Sequence, residues 1–204
     1  VTPVTPTAED TTSTDKQGQT QTGTPTFTPG NPNVPMDDDT PATFEDGSTT
    51  KTIPGEGTYT VAPDGTVTFV PEKSFTGTGT GVTVKRVDKN GTPVTAKYTP
   101  TVTPVTPTAT PAESEAPQGV VQTGTVTFTE GDPVAPIDKD TITLLDENGQ
   151  PAESVVAKSP EGKEIGTFTV DNETGVVTFT PTDKSYSGDV VPVKVQGKDT
   201  KETV

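Results

Sequence analysis

The 204-residue chain contains no cysteine, no histidine and no tryptophan, and only one methionine. Without cysteine there is no disulfide framework, no thiolate metal site and no thiol nucleophile. Without histidine the commonest general base and the commonest metal ligand are lost together. Hydrophobic residues make up 26% of the chain and aromatics 5%, so any core is modest and no apolar run is long enough to span a bilayer. Positive charge is scarce as well. Fourteen Lys and Arg face 29 Asp and Glu, a net charge of −15, which repels nucleic acid and anionic membranes. The first residue is Val and no signal peptide follows, so the sequence reads as a piece of a larger secreted protein.

Threonine, proline and glycine fill the space that these absences leave, and they are organised. The stretch GTYTVAPDGTVTFVPEKSFTG, residues 57–77, returns as GTFTVDNETGVVTFTPTDKSYSG, residues 166–188. Each copy reads as strand, tight turn, strand and Pro stop. In the first copy Ala62-Pro63-Asp64-Gly65 supplies a turn with a mechanism, because Pro fixes φ, Asp bonds locally and Gly accepts positive φ. In the second, residues 171–175 fill the same place. Tyr59, Val61, Val67 and Phe69 fall on one face and Thr58, Thr60, Thr66 and Thr68 on the other, the period-two pattern of a hairpin with one buried side.

VTPVTPTA occurs at residues 1–8 and again, unchanged, at 102–109. Such Thr/Pro runs are expected to be extended and semi-rigid. The reading therefore assigns residues 1–18 to a Thr/Pro-rich linker, 19–100 to repeat 1, 101–119 to a second linker and 120–204 to repeat 2. Within repeat 1, strands are expected at residues 22–28, 42–45, 79–86 and 94–99 in addition to the hairpin, with Asn90-Gly91 as a turn. Repeat 2 adds a strand at 154–158 and a counterpart of 42–45 at 142–145. Val204 aligns with Val94, which leaves the counterpart of residues 95–102 beyond the last residue, and repeat 2 is expected to be the less stable copy.

Short strands at regular spacing, with no helical periodicity, predict an all-β chain of two tandem β-sandwich repeats joined by an extended Thr/Pro-rich linker. The predicted cores are Phe27, Tyr59, Val61, Val67, Phe69, Val82 and Val84 in the first copy. In the second they are Val126, Phe128, Phe168, Val170, Val177, Phe179, Val193 and Val195, with Phe69 and Phe179 deeply buried. Phe75 and Tyr186 form a further aligned aromatic pair.

The phrase G-T-Y/F-T-V, V-T-F-x-P, S-F/Y-x-G, followed by VTVKRVDKNGTPVTAKYTPTVTPV, resembles the CshA-type fibril repeat of streptococcal fibrillar surface adhesins. The resemblance covers nearly the whole chain. It implies an extracellular, cell-wall-anchored protein of a Gram-positive bacterium, whose tandem repeats form a stalk that projects a distal binding region in adhesion. Neighbouring repeats of the same chain are then the partners, and a host surface glycoprotein is engaged through other regions of the full-length protein. The alternative is that the repeats themselves bind a host glycoprotein or another bacterial surface, for instance by strand addition at an exposed edge. Few aromatics remain outside the predicted cores for such an interface.

Other constellations yield no catalytic, cofactor-binding or metal residue. Asp37, Asp38 and Asp39, with Asp138 and Asp140 in repeat 2, offer hard oxygen ligands, but neither loop has the Gly and Glu that complete a calcium-binding EF-hand. A solvated acidic loop is the simpler reading. Lys85, Lys97 and Lys194 alternate outward, and Asn31, Asn33, Asn90, Asn148 and Asn172 lie in turns or Pro-rich loops, so no Lys–Asn crosslink is expected. Asn90 and Asn172 begin glycosylation sequons that are also hairpin chemistry. No acidic pair sits at an apolar strand end in both copies, so no enzyme and no cofactor are expected.

Overall fold

The structure, a computed structural model, describes every residue except Thr203, which belongs to the last stretch of the expected second repeat. The chain divides into two compact units, Val1–Pro104 and Val105–Val204. Both are all-β, with no helix among the described residues.

Unit 1 contains β1 (Thr7–Glu9), β2 (Thr11–Lys16), β3 (Gln21–Gly23), β4 (Thr26–Thr28), β5 (Thr43–Phe44) and β6 (Thr50–Ile53). It continues with β7 (Gly57–Val61), β8 (Val67–Pro71), β9 (Gly77–Thr78), β10 (Val82–Val87) and β11 (Pro93–Thr103). One sheet has the order β3-β8-β7-β6, the other β2-β11-β10-β5 with β9 against β11, and β1 pairs with β4. The hairpin β7–β8 sets the register of the first sheet by placing Tyr59 opposite Phe69 and Val61 opposite Val67. Its turn closes through the Gly65 amide, which donates to the Ala62 carbonyl at 2.9 Å, with Gly65 at φ 94°. The Asp64 carboxylate accepts the Thr66 amide at 2.9 Å. All four hairpin apolar residues are buried, and they pack with Phe44, Val82, Val84, Tyr98 and Val102 of the opposing sheet, with Phe27 and Phe75 partly buried at the margin. Each such side chain, taken fully out of water, contributes about 1.5–3 kcal/mol.

The two segments expected as linkers are in part strand. Thr7–Glu9 pairs with Thr26–Thr28, Thr11–Lys16 runs parallel to β11, and β11 itself continues past residue 100 to Thr103. In unit 2 Thr108–Thr110 pairs with Thr127–Thr129. The physical reason is that an extended Thr- and Val-rich segment carries strand propensity and is captured by an open sheet edge. Pro100 is tolerated because it sits at a break in the ladder: the pairing with β10 ends at Tyr98 and that with β9 begins at Thr101. The expected single strand at 22–28 is instead two, β3 and β4, which belong to different sheets.

Unit 2 contains β12 (Thr108–Thr110), β13 (Gln122–Thr125), β14 (Thr127–Thr129), β15 (Ile137–Leu145) and β16 (Pro151–Ala152). β17 (Ser154–Lys158), β18 (Glu164–Val170), β19 (Val176–Pro181) and β20 (Lys194–Asp199) follow. Its sheets have the orders β13-β19-β18-β17 and β16-β15-β20, and β12 pairs with β14. The second hairpin repeats the first, with Phe168 opposite Phe179 and Val170 opposite Val177. The predicted depth of this core is not reached. Phe179 is half-buried, as are Phe168, Val177, Val193 and Val195, and the most deeply buried apolar residues are instead Leu144, Ile165, Ala135 and Ala157. The cause lies at β20, which pairs with β15 on one edge and with no described residue on the other. Its counterpart β10 is covered there by β11.

Candidate functional site

In unit 1, β11 is the strand that closes the sandwich. Ala96, Tyr98, Pro100 and Val102 alternate inward and are buried. The Tyr98 ring meets Tyr59 edge-on, centroids 6.3 Å apart, and Tyr59 stacks on Phe69 at 4.5 Å. Gly23 makes room for it, since a Cβ there would overlap the Tyr98 ring. The Tyr98 hydroxyl lies 2.6 Å from Ser13 Oγ, and burial pushes its pKa up. Ser13 donates to Gln21 Oε1 at 2.5 Å, and Gln21 Nε2 donates to the Thr101 carbonyl at 3.0 Å. A serine, a glutamine and a glycine thus hold one strand by its tyrosine and its backbone.

A second polar network lies beneath that strand. The buried Glu56 carboxylate accepts the Tyr59 hydroxyl, the Thr80 amide at 2.9 Å and the Thr80 hydroxyl at 2.8 Å. Tyr59 Oη in turn accepts the Gly81 amide at 3.3 Å. Burial pushes the Glu56 pKa up, but the hydrogen bonds from Tyr59 and Thr80 outweigh it and hold the group below its ordinary value. Burial and the Glu56 partner both raise Tyr59. With all its partners inside the fold, this carboxylate is a structural acceptor.

Unit 2 repeats several of these side-chain contacts. Ser114 Oγ donates to Gln122 Oε1 at 2.8 Å, repeating Ser13 and Gln21. Gln118 Nε2 donates to the Ser185 carbonyl at 2.7 Å, as Gln17 Nε2 does to the Lys73 carbonyl at 2.8 Å. Gly124 stands where Gly23 does, and its missing Cβ faces only Ala112. Residues 112–117, the counterpart of β2, form no strand. A groove of about 1380 Å³ in this unit has an apolar wall that includes Ile165, Phe168, Val177, Phe179, Val193 and Val195.

The acidic loop of unit 1 is occupied by the protein's own cations. Lys89 bridges Asp37 at 2.7 Å and Asp39 at 2.9 Å, and Arg86 reaches Asp38 at 2.8 Å while lying 5.8 Å over the Phe27 ring. Lys89 and Thr40 hold the Asp37 carboxyl at about 2. In the second loop Asp138 accepts the Asp140 amide at 3.1 Å, and Lys139 lies 3.6 Å from Glu173. Among the described residues no cluster of three acidic side chains is arranged to hold a metal ion. None of the five Asn positions is buried, whereas a Lys–Asn crosslink needs a desolvated amide.

Sequence reasoning missed both the Tyr98 anchor and the Glu56–Tyr59 pair. The first was visible as the alternation Ala96-x-Tyr98-x-Pro100-x-Val102, which runs across the boundary drawn at residue 100. The second had no local signal, because Glu56 precedes β7 and Thr80 lies 24 residues away, beyond β8 and β9.

The chain matches the family model described as the surface adhesin CshA repetitive domain twice, over residues 3–102 and 104–204. Among solved structures it is 67% identical to repeat domain 13 of the fibrillar adhesin CshA from Streptococcus gordonii, with 34% of this chain and 90% of that one covered and a TM-score of 0.21. The N-terminal eight Ig domains of Down syndrome cell adhesion molecule align at 16% identity over 96% of this chain and 27% of that one, TM-score 0.36. Mouse cadherin-23 EC22–24 aligns at 14% identity over 96% and 59%, TM-score 0.36. A search of curated protein sequences returned no match.

Proposed function

The chain belongs to the surface adhesin CshA repetitive-domain family, and from that premise we propose that its two repeats are spacer units in the stalk of a cell-wall-anchored fibrillar adhesin. In this reading they carry a distal binding region away from a Gram-positive cell surface and perform no catalysis. The observation that supports it most is contiguity: the two family matches are separated by Thr103 alone, so the sequence is repeat throughout. Parts of the segments that look like linkers are spent on strands, and the acidic loop of unit 1 is neutralised internally. Length is gained by adding repeats.

The test is a repeat-deletion series in the full-length adhesin. Fibril length is expected to fall in step with the repeats removed, while adhesion through the distal region persists on short fibrils. The immobilised chain should retain no host glycoprotein at micromolar concentration. Saturable retention at that concentration would instead make the repeats adhesive in their own right.

A further inference from the structure

We propose that Asn148 of unit 2 is a site of spontaneous backbone modification, cyclising onto Gly149 and opening to isoaspartate within the native fold. Asn90, set in the same kind of turn in unit 1, is held unreactive. The inference goes beyond the spacer reading and does not rest on it. Asn90-Gly91 and Asn148-Gly149 are the two Asn-Gly pairs of the chain. Asparagine is a chemically labile residue, and a following glycine has no Cβ to hinder approach of the side chain to the next amide. Both glycines stand at positive φ, 80° and 75°, with open space where a Cβ would lie, and both asparagines are exposed. Water is the only co-reactant. The Gly149 nitrogen gives up its proton to solvent and attacks Asn148 Cγ. The new N–C bond closes a succinimide ring, and Nδ2 leaves as ammonia. Water then adds to either ring carbonyl, and the ring opens to isoaspartate or to aspartate.

The glycine amide governs this step, and the two turns hold it alike. Asp88 Oδ1 accepts the amides of Asn90 at 2.9 Å and Thr92 at 2.8 Å, and Asp146 Oδ1 those of Asn148 at 2.8 Å and Gln150 at 2.9 Å. The Gly91 amide donates to the Asp88 carbonyl at 2.8 Å, and the Gly149 amide to the Asp146 carbonyl at 3.0 Å. An amide so engaged cannot be deprotonated and turned onto Cγ, so cyclisation waits for the turn to open. The flanks decide how often that happens. In unit 1 the turn caps β10 and β11, paired without a break from Val87 opposite Pro93 to Val82 opposite Tyr98. Asp88 is buried, the Lys89 amide donates to the Pro35 carbonyl at 2.9 Å, and the Lys89 ammonium bridges Asp37 and Asp39. In unit 2 the turn joins β15 to the two residues of β16, held as Leu145 opposite Pro151 and Leu144 opposite Ala152. Pro151 brings no amide hydrogen to that ladder. Asp146 is half-buried, and the Glu147–Lys158 pair beside it faces solvent. The unit 2 turn therefore opens at lower cost. Isoaspartate routes the chain through the side-chain carbon, which lengthens the turn by one backbone atom and adds a negative charge beside Asp146 and Glu147. The amides at 148 and 150 then no longer both reach the Asp146 carboxylate, and β16 loses its register.

The test is to age the intact chain at mildly alkaline pH and physiological temperature and follow it by peptide mapping. Conversion is read as the mass gain of amide-to-acid exchange, and isoaspartate as a separately eluting peptide with the mass of the aspartate form. Conversion at Asn148 is expected to run more than about tenfold faster than at Asn90, the ratio that about 1.4 kcal/mol of difference in opening free energy produces. Amide exchange should be faster at Gly149 than at Gly91. In urea strong enough to unfold both units the two sites should react at closely similar rates, since the Asn-Gly chemistry is the same. Asp146→Ala, which frees the amides of Asn148 and Gln150, should accelerate Asn148 and leave Asn90 unchanged. Equal rates in the native chain, conversion at Asn90 first, an Asn148 that reacts in urea but stays intact in the native chain, or no acceleration by Asp146→Ala would each overturn the proposal. None of these outcomes touches fibril length in the deletion series, so the two readings fail separately.

Discussion

Glu56 and Tyr59 form a buried carboxylate–hydroxyl pair in unit 1, and the same two positions in unit 2 are Ile165 and Phe168. The replacement extends to the donors around them: Thr80 corresponds to Val191, and Gly81, whose amide bonds Tyr59, corresponds to Pro192, which has no amide hydrogen. One repeat has the complete network and the other has none of it. Removing one partner of a buried polar pair costs about 1–3 kcal/mol, while exchanging both for apolar groups of similar shape is close to neutral. Tyr59→Phe and Glu56→Ile are each expected to lower the melting temperature of unit 1. The combination with Thr80→Val is expected to recover most of that loss. Additive losses in the combined variant would show that the apolar set requires the backbone of unit 2.

Phe69→Ala is expected to destabilise unit 1 by about 3–5 kcal/mol, because Phe69 is fully buried between Tyr59 and Phe75. Phe179→Ala should cost unit 2 clearly less, since its ring is half-buried and borders the groove. Equal losses in chemical denaturation would mean that the groove is closed in solution.

Acid should weaken both units over a defined range. Lys89 and Thr40 lower Asp37 from 3.8 to about 2, and Lys163 and Ser185 lower Asp183 from 3.8 to about 2. A carboxylate whose pKa is depressed by folding contributes stability that is fully present above its unfolded value. That contribution is lost as pH falls through the folded one. Melting temperature should therefore hold from neutral pH to about 4 and then decline toward pH 2. Because these pairs are exposed, the decline should shrink at high salt. Lys89→Met should flatten the unit 1 part of this limb, and an unchanged limb would remove Asp37 from the account.

Metal removal should leave the fold unchanged. Asp37, Asp38 and Asp39 already face Lys89 and Arg86, so a divalent cation would have to displace both. Melting curves in EDTA and in millimolar calcium are expected to superimpose. A stabilisation by calcium that disappears in Asp38→Asn would establish a site that the ion pairs conceal.

What the sequence made legible was the hairpin and its phase. Residues 57–71 carry strict alternation and a turn with Pro, Asp and Gly in sequence, so register, face and core followed from local chemistry. The Thr/Pro segments were misread because their pairing is decided elsewhere. Thr11–Lys16 becomes a strand only because β11, about 90 residues later, offers it a parallel edge. Residues 112–117, the matching segment of unit 2, remain without strand pairing where no such edge exists among the described residues. Composition cannot separate those two outcomes, since they depend on a distant partner. The depth of Phe179 failed for the same reason, because alternation fixes the face a side chain points to and leaves open whether another strand covers it.

The parallel pairing of β2 with β11, from Tyr98 opposite Thr11 to Thr103 opposite Lys16, has a mechanical meaning. β2 lies near the start of unit 1 and β11 at its end, and both run in the same direction. A tension that draws Val1 and Pro104 apart therefore slides these two strands along each other and loads the hydrogen bonds between them together. A hairpin pulled from its open end would release them one at a time. The Tyr98 ring, seated over Gly23 and tied to Ser13, stands across that sliding direction as a stop. Unit 1 is thereby built to resist such a pull until the whole set of bonds yields together.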